Sequence, residues 1–143
     1  MRPGPKPEWW LTFDCYGTLI QWDEGLLAAV KTILAKQSGT QVDAAALIHT
    51  YDKYEHGLEA ERPHKSFRTV AGEALRRAME ELGLSYQPSD IEILTSSISR
   101  MPPFPEVVGA LEALKSQGFR LCIISNTDDD IIAGNVAQLG GHI

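Results

Sequence analysis

Apolar residues recur along this chain in two rhythms. At Trp9–Phe13 (WWLTF) aromatic and β-type residues run together and predict a strand, closed by the turn-forming Tyr16-Gly17. From there the spacing changes to that of helices. Leu26, Val30, Ile33 and Leu34 mark one helical face, which Gly39 closes. Asp43 is placed to cap a second helix carrying Leu47, Ile48, Tyr51 and Tyr54. A polar stretch, Glu59 to Lys65 with Pro63, separates it from a third helix with Ala71, Leu75, Ala78 and Leu82, ending at Gly83. Ser89-Asp90-Ile91-Glu92 reads as a capping box for a fourth, with Ile91, Leu94 and Ile98 turned inward.

After Met101-Pro102-Pro103-Phe104-Pro105, a stiff extended linker, the rhythms alternate. Pro105 opens a helix with Val107, Leu111 and Leu114 on one face, stopped by Gly118. Phe119–Ile124 (FRLCII) is a mostly apolar run suited to a buried parallel strand. A last helix begins around Asp128–Asp130, whose acids suit its positive end, and Gly140-Gly141 end it.

The order is strand, four helices, linker, helix, strand, helix. Two strands joined by a crossover predict a parallel pair and an α/β class, with ligands received at the C-terminal strand ends. Asp14 and Ser125 both stand at such ends. The four inserted helices predict a separate lobe over that edge.

Composition narrows the function. The chain has 143 residues, 43% hydrophobic and 22% charged, which suits one soluble domain. The net charge of -6 argues against nucleic acid or an anionic membrane surface as a main partner. No apolar run approaches a membrane span, and the start, MRPGPKPEWW, has no apolar core of a secretory signal, so residues 1–8 read as a loose leader and the expected location is cytoplasmic. Two cysteines, Cys15 and Cys122, lie in or beside apolar runs and read as buried free thiols. His49, His56, His64 and His142 show no ligand spacing, and no metal site is expected. Trp9 and Trp10 are expected to pack the start of the first strand; Trp22 either lines the lobe entrance or packs.

Asp14 is the first candidate for chemistry. The turn after it offers backbone N–H groups and Thr18 a hydroxyl, an arrangement that suits a carboxylate nucleophile. An aspartate that only stabilises its own turn would look the same from position alone. The stretch Asp14-Cys15-Tyr16-Gly17-Thr18-Leu19 closely resembles the first motif of the haloacid dehalogenase superfamily, and Ser125-Asn126 in IISNT resembles its second. The order of elements is similar too. The resemblance implies a Rossmann-like parallel-sheet core, incomplete here, over 9–21 and 101–143, with an inserted helical-bundle cap over 22–100.

Phosphatases of that superfamily carry a second aspartate two residues after the nucleophile, as a proton donor to the leaving oxygen. Here the position is Tyr16, a poor donor near neutrality. Halide leaves as a stable anion and needs no proton, so Tyr16 resembles the type II L-2-haloacid dehalogenases. The resemblance then implies catalytic roles for Asp14, Thr18 and Ser125, and substrate binding by Tyr16, Ser125 and Asn126. It implies a small anionic substrate, no cofactor and a homodimer. The alternative, a phosphatase, would use Mg²⁺ bridging Asp14 and the phosphate.

Two departures qualify the resemblance. The second cap helix of such dehalogenases carries a halide-binding arginine, where this chain has HTYDKYE (residues 49–55) with only Lys53 as a cation; Arg62 and Arg68 follow later. The superfamily's third motif, a lysine, and its fourth lie beyond Ile143. The expectation is therefore a truncated frame or fragment, with an inactive or partner-binding remnant as a third reading.

Overall fold

The computed structural model describes residues 8–143. The leader expected over 1–8 lies outside the described residues, apart from Glu8, which pairs with Arg120 at 2.6 Å. The elements are β1 (Trp10–Phe13), α1 (Trp22–Ala35), α2 (Ala44–Glu59), α3 (Phe67–Glu81), α4 (Pro88–Arg100), α5 (Val107–Ser116), β2 (Arg120–Ile123) and α6 (Asp129–Val136). This is the α/β order expected from the pattern.

β1 and β2 pair in parallel, Trp10 opposite Arg120 through Phe13 opposite Ile123. The pairing places the two C-terminal ends side by side, and the Ile124 N–H extends it to the Phe13 carbonyl at 2.9 Å. α1 to α4 pack chiefly on one another, α4 also packs on α6, and α5 on β2. Their shared interior holds Ile33, Leu47, Tyr51, Leu75, Leu94 and Ile98, which the helical spacing selected, and also Met79, which it did not.

Helix starts follow local chemistry. The Asp43 carboxylate accepts from the Ala46 N–H at 2.8 Å, and Ser66 Oγ from Thr69 at 3.2 Å. The start of α4 differs from expectation. Pro88 takes its first position, where a missing N–H costs nothing, so Gln87 rather than Ser89 is the cap. Asp90 reaches back to the Gln87 N–H at 2.8 Å and, fully buried, pairs with Lys36, just past the end of α1, at 2.7 Å.

The strands also depart from expectation. β2 was expected to be buried, yet only Leu121 is, and Ile124 is 67% exposed. Trp9 and Trp10 do not pack the strand start: both are more than half exposed, and Trp10 lies against the Arg120 guanidinium. The reason is physical: a two-stranded sheet covered by α5 beside β2 leaves apolar strand residues without a facing layer. Asp14, at the end of β1, is consequently exposed. The last helix ends at Val136, four residues before Gly140, because Ala137 to Gly141 tighten into turns. Cys15 is buried and free as expected; Cys122 is free and half-buried. No helix among the described residues is long and apolar enough to cross a membrane.

Candidate active site

The turn after β1 is wound around one carbonyl. Thr18, Leu19 and Ile20 all direct their N–H groups to the Cys15 oxygen, at 3.2, 2.8 and 3.1 Å. Such a tight return needs a left-handed residue, and Gly17 supplies it with φ +83°. The winding brings Thr18 back over Asp14, and Thr18 Oγ1 donates to Asp14 Oδ2 at 2.9 Å. The linker locks the loop from behind: Phe104 N–H reaches Leu19 O at 3.0 Å, and Gln21 N–H reaches Pro102 O at 2.9 Å.

The parallel register sets Ser125 and Asn126 beside Asp14. With Tyr16 and Trp22 these residues line one side of a cleft of about 330 Å³. α2 also lines it, through Asp52, Glu55, His56 and Glu59, with Phe67 at the start of α3. All five residues singled out from the sequence therefore gather here: Asp14, Tyr16, Ser125 and Asn126 line the cleft, and Thr18 touches it through Asp14.

Tyr16 is engaged rather than free. Its hydroxyl donates to Asn135 Oδ1 at 2.7 Å, and its ring packs on Trp22 with centroids 5.4 Å apart. Burial pushes its phenol up to about 12, so it is not a proton donor near neutrality. Burial, then the Asp14 charge, lifts the Cys15 thiol to about 11, leaving it an inert core group.

The α2 wall is acidic. Burial raises the Glu55 carboxyl above its ordinary value, and the charges of Glu59 and Asp52 add to the rise. Burial likewise raises Asp52. His56 donates Nδ1–H to the Asp52 carbonyl at 2.7 Å, which favours its protonated form, and Glu55 and Glu59 add to this. No Lys or Arg stands among the described lining residues. Lys53 instead pairs with Glu81 at 2.9 Å, and Arg68 with Asp130 at 2.8 Å. No three His, Cys, Asp or Glu side chains among the described residues converge closely enough to hold a metal ion.

Sequence reasoning missed Asn135 and the α2 wall. The wall was legible, since residues 52, 55, 56 and 59 share one helical face. Asn135 carried no local signal: it matters through a residue 119 positions away.

A family model described as haloacid dehalogenase-like hydrolase matches residues 10–143. The chain is 27% identical over 137 residues to (S)-2-haloacid dehalogenase of Pseudomonas sp. (strain YL), covering 91% of this chain and 55% of that protein. It is 30% identical over 111 residues to phosphoglycolate phosphatase of Aquifex aeolicus (strain VF5), covering 71% and 52%. Among solved structures, the L-2-haloacid dehalogenase of Xanthobacter autotrophicus with chloropropionic acid covalently bound superposes with a TM-score of 0.72 at 21% identity, covering 93% of this chain and 52% of that one. The chain thus spans about half the length of these relatives and shares the fold of that part. With the match running from the first strand to the last helix, the chain belongs to the haloacid dehalogenase-like hydrolases.

Proposed function

We propose that this chain carries the nucleophile of a hydrolytic dehalogenation of L-2-haloacids. The observation that carries the reading is the Thr18–Asp14 hydrogen bond at the mouth of a cleft that also holds Ser125 and Asn126. Thr18 occupies Oδ2 and leaves Oδ1 as the attacking oxygen. Oδ1 forms a bond to the carbon bearing the halogen, with inversion, and halide departs with the bonding pair. Water then adds to the Asp14 carbonyl carbon, releasing a 2-hydroxy acid and restoring the carboxylate. Ser125 and Asn126 receive the substrate carboxylate by hydrogen bonds, and the Tyr16 and Trp22 rings form the apolar side. α1 to α4 act as the cap that encloses the reaction. The Xanthobacter relative holds chloropropionic acid covalently bound, which supports a covalent intermediate in this reading.

A second reading, a phosphatase of a small metabolite, is favoured by the phosphoglycolate phosphatase relative and by the acidic α2 wall, which would attract a divalent cation. The described donors do not by themselves form a magnesium site, since no three of the His, Cys, Asp or Glu side chains among the described residues converge. Tyr16, engaged with Asn135 and titrating at about 12, stands against the leaving-group protonation that a phosphate ester requires.

The test is halide release from L-2-chloropropionate by the purified chain, beside phosphate release from p-nitrophenyl phosphate with Mg²⁺, each with Asp14→Asn. Halide release abolished by Asp14→Asn supports dehalogenation. Phosphate release abolished by it moves the assignment to the phosphatase, and silence on both from a folded chain makes the described part a non-catalytic remnant.

A further inference from the structure

Asp128 occupies the cap position of α6, yet its side chain makes no bond to that helix. Both carboxylate oxygens instead reach the start of α3, 60 residues away in sequence: Oδ1 accepts from the Phe67 N–H and Oδ2 from the Arg68 N–H, each at 2.9 Å. α3 already has its own cap, Ser66, on Thr69. The first turn of α3 is therefore capped twice, once from within and once from the loop after β2. Arg68 closes the clasp, with Nη2 on Asp130 at 2.8 Å and Nη1 3.9 Å from Asp128.

The placement matters because of what each end carries. Phe67, 8% exposed, lines the same cleft as Asp14 and Ser125. Asp128 ends the loop that holds Ser125 and Asn126. Among the elements, α3 packs only on α2 and α4, so helix packing does not tie it to the strands or to α6. A paired carboxylate bridging two backbone amides is strong and directional, unlike sliding apolar contacts.

We propose that Asp128 is a positioning residue: a carboxylate clasp that fixes the start of α3, and with it Phe67, against the loop of residues 125–127, so setting the closed width of the cleft. Its consequence for substrate affinity rests on the proposed function; the clasp itself does not.

The test compares Asp128→Ala, Asp128→Asn and Ser66→Ala in the full chain, by residue-resolved amide hydrogen exchange. Asp128→Ala is expected to speed exchange at Phe67 and Arg68 about tenfold, and to speed residues 124–127 with them. Ser66→Ala is expected to affect Thr69 and leave 124–127 unchanged. Asp128→Asn, which keeps one acceptor, should lie between, and serves if the alanine variant does not fold. An Asp128→Ala profile that leaves 124–127 untouched makes Asp128 a mere helix cap and overturns the proposal. Where L-2-chloropropionate is turned over, Asp128→Ala should raise KM about fivefold with kcat within twofold, and Asp128→Asn should recover part of it. An unchanged KM overturns the proposal. A silent wild type counts against the assigned reaction alone, because the exchange comparison still decides the clasp.

Discussion

Tyr16 donates its hydroxyl to Asn135 at 2.7 Å, joining the loop that carries Asp14 to the last helix. Asn135 is fully buried and spends its two amide hydrogens on the carbonyls of Ile98 and Met101, at 2.7 and 3.1 Å. One side chain thus holds together the Asp14 loop, the end of α4 and α6. Asn135→Ala leaves the phenol without its partner and takes one donor from each carbonyl, which keep the Met101 N–H on Ile98 and Gln138 Nε2 on Met101, and it is expected to cost about 1–3 kcal/mol. Tyr16→Phe strands only the Asn135 oxygen and should cost about 1 kcal/mol. Urea unfolding of both variants and the double variant measures this. Losses that simply add would mean the two residues act independently.

The thiol of Cys15 and the phenol of Tyr16 make the fold sensitive to alkali. Burial raises Cys15 from 9.0 to about 11 and Tyr16 from 10.0 to about 12. The unfolded chain therefore loses these protons first, and the folded chain holds more of them as pH climbs. Stability is fully present below pH 9 and declines as pH rises through 9 to 12. Thermal melts across that range should show falling midpoints, and Cys15→Ala should flatten the first part of the decline. An equal slope in the variant would assign the decline to other groups.

Much of this was written in the spacing of apolar residues. The helices came through because Leu26, Val30 and Ile33, or Leu94 and Ile98, repeat on faces that do bury. The Asp14 loop came through because its glycine and threonine perform their roles within four residues. The strands misled, since FRLCII read as buried and Trp9 and Trp10 as packed, while the described sheet has too few layers to cover them. The site's ties were illegible for a different reason. Tyr16 meets Asn135, and Asp128 meets α3, across more than 50 residues, and no local pattern encodes such pairs. The acids at 128–130 looked like a response to their own helix dipole, which Asp129 and Asp130 satisfy by position; Asp128 serves α3 instead.

Two glycines in helices should respond in opposite directions to alanine. A Cβ at Gly134 would overlap the hydroxyl and carbonyl oxygen of Ser99, where α6 crosses α4. The backbone oxygen cannot swing aside, so Gly134→Ala is expected to destabilise by about 2 kcal/mol or more. Gly109, exposed in α5, has nothing within 4 Å of an added Cβ. Gly109→Ala should stabilise by about 0.5–1 kcal/mol through its lower unfolded-state entropy. Denaturation midpoints decide both, and a loss at 109 comparable to that at 134 would contradict the packing described.

Thr18 separates orientation from stability. Its side chain is exposed, and its one hydrogen bond goes to Asp14 Oδ2. Thr18→Val keeps the shape and removes the donor. The free Asp14 carboxylate then rotates, and fewer of its orientations place Oδ1 in line for the attack proposed above. In the proposed dehalogenation, loss of one orienting bond is expected to lower kcat for L-2-chloropropionate about tenfold, with KM nearly unchanged, because that reading gives the substrate carboxylate to Ser125 and Asn126. Thr18→Ser restores the donor and should recover most of the rate, which a packing role for the methyl would not predict. Melting temperatures of the three proteins should agree closely, since an exposed methyl and hydroxyl contribute little to burial. A rate loss in Thr18→Ser equal to that in Thr18→Val, or a large fall in melting temperature, would remove Thr18 from the orientation of the nucleophile.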